Sequence, residues 1–136
     1  MIFTLAEVYC TFDPFLIADH ENIEYQYADI GEIKGQYIPN VVDKSIILLN
    51  QTLEYSNERY TVMAHELGHA LLHPDLSSYY SFGKYQKSKV ENEANFFSVH
   101  LMYEFCCEEL SCPPTSIYEL QTRYGISEDL LEHTFK

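Results

Sequence analysis

The pattern of apolar and polar positions predicts short helices followed by strands in the first half of the chain. A helical stretch in the first twenty residues is broken at Asp13-Pro14, because proline does not continue a helix that began before it. Residues 23–33 mix β-branched and aromatic residues with charged ones, which predicts one or two strands and a turn at Gly31. Residues 35–38 and 45–50 predict an antiparallel pair, and the second strand is apolar enough to be central.

The second half of the chain predicts two longer helices joined by a long segment. Residues 57–72 are compatible with one helix that ends before Pro74. Residues 89–105 carry apolar side chains at helical spacing, namely Val90, Ala94, Phe97, Leu101 and Phe105. The segment from Pro74 to Ser88 is long for a simple connection, which makes it a candidate lid or substrate-facing loop. It contains Tyr79, Tyr80 and Tyr85.

Two short helices are predicted near the C-terminus. Thr115 follows two prolines and can cap a helix that runs to Tyr124, where Gly125 closes it. Ser127 can cap a last helix through residues 130–131. The chain contains no internal repeat and no linker-like segment. We therefore expect one domain over residues 1–136 with an α+β fold, in which a small antiparallel sheet packs against helices.

Charge and composition narrow the function classes. With 136 residues, of which 46% are hydrophobic, the chain is long enough for a modest folded core. Its net charge is −13, from 21 acidic and 8 basic residues. Direct nucleic-acid binding is excluded on this ground, because no basic patch is available to displace counterions from phosphates. The same charge suits a basic protein partner.

The N-terminus and the cysteines indicate a reducing compartment. Residues 1–7 lack the basic region of a signal peptide, and no apolar run approaches the roughly 18 residues of a membrane span. Cys106, Cys107 and Cys112 lack the paired spacing of a zinc knuckle, so we interpret them as core or half-exposed thiols. Together with Cys10 they favour a cytoplasmic protein without a disulfide framework and without membrane association.

The most informative motif is H-E-L-G-H at residues 65–69, which fits H-E-x-x-H. Residues four apart on a helix share one face, so His65 and His69 can both reach one metal ion. Glu66 lies beside them, where its carboxylate can act on a metal-activated water as general base. Helix-compatible residues precede and follow the motif, and these favour a metal site over a helix that merely carries two surface histidines.

Two histidines hold zinc poorly, so a third protein ligand is required. The extended motif with a third histidine is absent, because position 75 is Asp and position 72 is Leu where a turn needs Gly. His73 continues the same helical stripe. However, each step of four residues rises roughly 6 Å and rotates roughly 40°, so three histidines cannot converge on one ion. A carboxylate from the second helix remains, and residues 91–95, E-N-E-A-N, supply two of them.

At this point the chain resembles a known family. H-E-L-G-H-A-L-L-H at residues 65–73, with E-N-E-A-N-F-F at residues 91–97, is similar to the ImmA/IrrE-type zinc metallopeptidases. Residues 35–37 and 46–50 resemble the β pair that precedes the zinc helix in that family, and residues 117–127 resemble its C-terminal helical element. The chain departs from the family pattern at residues 98–103, where S-V-H-L-M-Y replaces an alanine-rich run and a terminal proline.

The resemblance assigns roles to individual residues. Glu91 takes the position of the third zinc ligand, three residues before Ala94, with Glu93 as its rival on a solvated helix face. Asn95 takes the position that orients a zinc histidine. His73 recurs in the family without a role that we can derive, and a helix-end histidine favoured by the helix dipole is an equally good interpretation. The other histidines, His20, His100 and His133, are interpreted as ordinary, although His100 follows Glu91 on the same helix and could approach the site.

The resemblance also implies a fold and an activity. It implies a zincin-like fold with the H-E-x-x-H helix and a second ligand-bearing helix, and one Zn²⁺ per chain held by His65, His69 and Glu91. Glu66 would take a proton from water and deliver it to the leaving amine. The oxyanion would need a further donor, for which His73, Tyr79, Tyr80 and Tyr85 are the candidates.

A substrate class follows from the same resemblance. Family members often accompany phage or mobile-element repressors and cleave a helix-turn-helix repressor, in mobile-element or stress regulation. We therefore expect a zinc-dependent endopeptidase with a repressor as substrate and no direct contact with nucleic acid. The alternative is a non-catalytic antirepressor, or a phage accessory module, that binds a repressor without cutting it. The presence of Glu66 favours the enzyme, because a purely structural zinc site has no use for that carboxylate.

Overall fold

A computed structural model describes residues 2–41, 44–74 and 84–135. Its helices are α1 (Ile2–Tyr9), α2 (Pro14–His20), α3 (Glu58–Leu72), α4 (Lys84–Leu110), α5 (Glu119–Tyr124) and α6 (Glu128–Phe135). Its strands are β1 (Ile23–Ala28), β2 (Gly35–Val41) and β3 (Lys44–Asn50), and a 3-10 turn at Gln51–Leu53 follows β3. The predicted α+β class is confirmed.

The three strands form a mixed sheet in the order β1-β3-β2. β3 is central, as predicted, and its Ile47 and Leu49 are fully buried. The predicted antiparallel pairing of β2 with β3 is confirmed, with Gly35 opposite Leu49. β1, however, runs parallel to β3, so the expectation of an antiparallel sheet is wrong for this strand. Only two residues separate β2 from β3, which forces them to be antiparallel, whereas β1 is joined to β2 and pairs with the opposite side of β3.

The break near residue 13 and the turn at Gly31 are both confirmed. Asp13 caps α2 by accepting a hydrogen bond from the Phe15 N–H, and Pro14 occupies the first turn. Gly31 has φ +71°, a left-handed conformation that glycine adopts without strain. The buried Asn50 side chain donates to the carbonyls of Gly31 and Ile33, both at 2.9 Å. These bonds fix the loop that leads into β2.

α4 is longer than the sequence predicted. It begins at Lys84, so Tyr85 belongs to a helix, and the connection after α3 is shorter than the segment 74–88. Within the described ranges, no helix is both long enough and apolar enough to cross a membrane. Cys106 is buried and Cys107 half-buried, as predicted for these thiols, but Cys112 is exposed, because the helix has ended before it.

α3 and α4 pack closely where their smallest residues meet. Ala94 is fully buried. A Cβ atom built on Gly68 would lie 3.3 Å from the Ala94 Cα and 3.0 Å from the Phe97 ring. The small side chain of Ala94, three residues after Glu91, thus allows the two helices to approach. This approach brings the second half of the site to the first.

Gly68→Ala is expected to destabilise the protein although alanine is the better helix former. The gain in helix propensity is about 1 kcal/mol. The added methyl group, however, would crowd the backbone of α4, which cannot move away as a flexible side chain can. Overpacking of this kind costs about 1–3 kcal/mol. Thermal unfolding of the two proteins without metal measures the difference. A higher Tm for the variant would mean that α3 and α4 separate here at no cost.

The C-terminal helices cover one end of α3. The prediction that Thr115 caps α5 is wrong, because the helix begins only at Glu119. The Glu119 carboxylate instead accepts a hydrogen bond from the Thr115 N–H at 3.1 Å. The predictions for Gly125 and Ser127 are confirmed. Gly125 ends α5 with φ +70°, and the Ser127 hydroxyl accepts from the Leu130 N–H at 3.2 Å. The Thr61 hydroxyl donates to the Tyr124 carbonyl at 2.7 Å and attaches this turn to α3.

Candidate metal centre

α3 presents His65 and His69 on one face, one turn apart, as the motif predicts. Their Nε2 atoms are 3.2 Å apart. The helix ends just after them because His73 leaves the helical conformation (φ −138°, ψ 62°) and Pro74 follows. The His69 side chain is fully buried, while that of His65 is one-fifth exposed. One side of the pair therefore faces the protein interior and the other faces a cleft.

Glu91 on α4 faces both histidines. Its Oε2 atom lies 3.1 Å from the His65 Nε2, and its Oε1 atom lies 3.0 Å from the His69 Nε2. The three groups thus form a triangle with edges of 3.0–3.2 Å. Tetrahedral zinc with bonds of about 2.0–2.1 Å places its ligand atoms roughly 3.3 Å apart. The nitrogen and oxygen donors present fit a zinc ion in both chemistry and spacing.

The electrostatics of the triangle favour a negatively charged Glu91 and raise the basicity of His65. Burial alone would raise the pKa of Glu91, but its hydrogen bonds to His65 and His69 outweigh burial and lower the pKa to about 2. Burial alone would lower the pKa of His65, yet the hydrogen bond to Glu91 and the charges of Glu66 and Glu91 raise it above its ordinary value. Glu91 is therefore a carboxylate at neutral pH, the form in which it can bind a cation.

Glu66 is the most buried carboxylate of the site, with 5% of its surface exposed. Its Oε2 atom is 3.9 Å from the His65 Nε2, and its ligand atoms and those of both histidines lie within 4.8 Å of one another. This grouping alone would allow Glu66 as a ligand. Glu91 lies closer, at 3.0–3.1 Å from the same nitrogen atoms, so geometry favours Glu91 as the third ligand.

The start of β2 fixes the position of Glu66. A Cβ atom built on Gly35 would lie 3.1 Å from the Glu66 Cγ and 2.7 Å from the Val62 Cγ1. Only glycine lets the strand approach α3 this closely. The backbone of Gly35 therefore runs directly over the carboxylate that would act on water.

Two residues of α4 complete the wall next to Glu91. Asn95 lies one turn after Glu91 and lines the same cleft as His65, and its side chain contributes to the raised pKa of His65. Ser98 is buried and donates to the Asn95 carbonyl at 2.8 Å. The role of Asn95 in metal affinity stays a prediction.

The other sequence candidates lie elsewhere. Glu93, expected on a solvated face, has its Oε2 atom 3.3 Å from the Nε2 of His73, the residue at which α3 ends. His73 is not among the described residues that line the cleft, and neither is His100, which packs on Phe96 with ring centroids 4.3 Å apart. Tyr79 and Tyr80 lie outside the described residues, as does the side chain of Tyr85.

The cleft beside the triangle has a volume of about 490 Å³. Sequence reasoning missed several of its residues, which come from four separate parts of the chain: Lys34, Glu58, Val62, Ser98, Ile126 and Leu130. No motif connects them. Gly35 at the start of β2 and the left-handed Gly125 before Ile126 were the signals in the sequence, since both mark places where the backbone approaches another element.

Comparison with known proteins gives one family and one relative. A sequence model of a peptidase family, described as the IrrE N-terminal-like domain, matches residues 18–136. The chain is 35% identical over 101 residues to "Uncharacterized immunity region protein 2" of Bacillus phage phi105, a match that covers 72% of this chain. It covers 63% of the relative, which is less than two thirds of its length. No solved structure matches the chain.

Proposed function

The chain belongs to the peptidase family of the IrrE N-terminal-like domain, and from this premise we propose that it is a zinc-dependent endopeptidase that cleaves a helix-turn-helix repressor. The observation that carries the proposal is the contact of one Glu91 carboxylate with the Nε2 atoms of both motif histidines. Three protein ligands leave a fourth zinc position for water or substrate, which is the arrangement of catalytic rather than structural zinc.

Each residue of the site has a distinct task in hydrolysis. His65, His69 and Glu91 would hold the zinc ion, which when bound acidifies a water molecule and polarises the peptide carbonyl. Glu66 accepts the proton of that water during attack and delivers it to the leaving amine. Its burial beneath Gly35 excludes bulk water and holds the carboxylate in one position. Asn95, which lines the same cleft as His65 one turn after Glu91, orients the His65 ring.

The edge of the sheet offers a place for an extended substrate. β2 is an edge strand of the described sheet. The Asn50 N–H donates to the Lys34 carbonyl at 2.9 Å, so in this antiparallel pair the peptide groups of Gly35, one residue on, point away from β3. An extended peptide that pairs with Gly35 would lie over Glu66. Pro39 has no N–H, which limits such pairing to the start of the strand.

The substrate class rests on the relative and on charge. The phage relative is named as a protein of an immunity region, and this supports a role in repressor regulation. The net charge of −13 suits a basic, DNA-binding substrate. The same charge opposes direct binding to DNA. A protease that binds the repressor while the repressor is not on its operator is compatible with both effects of the charge.

Cleavage of a repressor tests the proposal directly. The zinc-loaded protein is incubated with each helix-turn-helix protein found among the neighbouring genes, and the products are identified by mass spectrometry. Two fragments whose masses sum to the repressor plus one water, and which disappear when a chelator removes the metal, are the expected result. An intact repressor that is nevertheless released from its operator would replace the peptidase with the non-catalytic antirepressor.

Asn95→Ala is expected to weaken zinc binding by about 10–100-fold, the usual cost of losing a group that orients a ligand histidine. The fold should be retained when zinc is in excess, because alanine is the better helix former. Competition with a chromogenic chelator measures the affinity. Asn92→Ala changes an exposed position of the same helix and serves as the control. Equal zinc affinity of both variants would mean that the contact between Asn95 and His65 has no part in metal binding.

A further inference from the structure

The cleft extends beyond the metal triangle as one continuous cavity of about 490 Å³. Glu66 and Glu91 line it at the catalytic end, and Ile126 and Leu130 line it where α5 turns into α6. The cavity therefore connects the metal-binding side chains with the C-terminal helices. Clefts of this size and composition are typical of sites that enclose part of a ligand.

The far wall of the cavity is mainly apolar, and the hydroxyls of Thr61 and Ser127, which also line it, are hydrogen-bonded to backbone groups. Val62 and Ile126 are buried members of the core, and Leu130 is half-buried beside them. Lys34 and Glu58 also line the cavity, but they form an ion pair with each other. A charged substrate side chain would lose its hydration here without gaining a partner of its own. An apolar side chain has no favourable hydration to lose, and burial of its surface stabilises the complex.

The wall is held in place before any substrate arrives. The Thr61 hydroxyl attaches the Tyr124 carbonyl to α3, and Gly125 packs so closely that a Cβ atom there would lie 3.1 Å from the Glu58 side chain. Ser127 then caps α6 through the Leu130 N–H. Leu130 is thereby positioned from two sides, which gives the cavity a fixed shape rather than an adaptable one.

We propose that Leu130, together with Val62 and Ile126, forms a specificity pocket for an apolar side chain of about the size of Leu, Met or Phe, carried by the substrate residue next to the scissile bond. This inference rests on the proposed peptidase function and adds to it the residue that selects the substrate. Leu130 is the determinant, because Val62 and Ile126 belong to the buried core, whereas Leu130 is only partly buried against it.

Amino-acid hydroxamates test the pocket without any cleavage, because the hydroxamate group binds zinc and places one side chain beside it. Calorimetry on the zinc-loaded protein should show leucine and phenylalanine hydroxamates binding about tenfold or more tightly than glycine hydroxamate. Leu130→Ala should reduce this preference several-fold. Leu130→Glu should abolish it and favour lysine hydroxamate instead. Affinity for glycine hydroxamate should stay within about threefold in both variants, because that ligand does not reach Leu130.

Leu16→Glu is the matched control, since Leu16 is an exposed leucine of α2 that does not line the cavity. It should bind all four hydroxamates as the wild type does. If the zinc-loaded protein binds no hydroxamate, the zinc has no open position, and both the peptidase proposal and the pocket are overturned. If it binds them without regard to their side chains, or if the Leu130 variants keep the wild-type preference, the pocket alone is overturned and the peptidase proposal stands.

Discussion

Replacement of Glu66 by Gln is expected to lower kcat/KM for repressor cleavage by a factor of about 10² or more, the usual contribution of a positioned general base. Gln has the shape of Glu but cannot take a proton from water at neutral pH. Zinc content and Tm should be retained, because the metal would be held by His65, His69 and Glu91. Rates of fragment formation, together with metal analysis of the same samples, measure both properties.

Glu54→Gln provides the control, because it makes the same chemical change at an exposed position outside the cleft. It should cleave at the wild-type rate. The peptidase proposal would be wrong if the Glu66 variant inactivated the repressor as well as the wild type does, in cells or with purified components. Loss of zinc from the Glu66 variant would instead mean that Glu66 is itself a ligand.

The second large effect is expected from Glu91→Ala, which should lose zinc. Removing a direct ligand should cost more than the 10–100-fold that removal of a hydrogen-bonding partner costs. Glu93→Ala should keep its zinc to within a few-fold, since the Glu93 carboxylate faces His73 and not the motif histidines. Metal analysis after dialysis compares the two variants, which differ only in which carboxylate of α4 is missing.

In the opposite outcome, Glu93→Ala loses zinc and Glu91→Ala retains it. This would mean that α4 packs against α3 in a different register, with Glu93 facing the motif histidines. Two residues along a helix correspond to a rotation of about 200°. Glu91 and Glu93 therefore cannot both face the histidines. Retention of zinc by both variants would mean that the third ligand lies outside α4.

The catalytic motif could be found in the sequence because its geometry is local. The spacing of His65 and His69 places them on one helical face whatever the rest of the protein does. Their Nε2 atoms are 3.2 Å apart for that reason. The glycine turns are equally local, since a left-handed conformation at Gly31 or Gly125 depends on the residue itself. The family resemblance then pointed to Glu91. Residue chemistry alone did not distinguish Glu91 from Glu93 as the third ligand.

Other features were decided by distant parts of the chain. The parallel pairing of β1 with β3 could not be read from the composition of either strand, because it depends on which side of β3 the chain reaches after β1. Thr115 was a reasonable helix cap by residue type. Its segment instead turns before α5, where the Glu119 carboxylate accepts its N–H.

The sequence by itself determined the helix that carries the two histidines, the position of Glu66 beside them and the class of protein, because these follow from spacing within one or two helical turns. Tertiary structure decided which carboxylate meets the histidines, through the close contact of Gly68 with Ala94. It also decided what lies opposite them, by bringing Gly35 and Leu130 to one cleft from distant parts of the chain. Such contacts depend on long-range packing, and no local pattern encodes them.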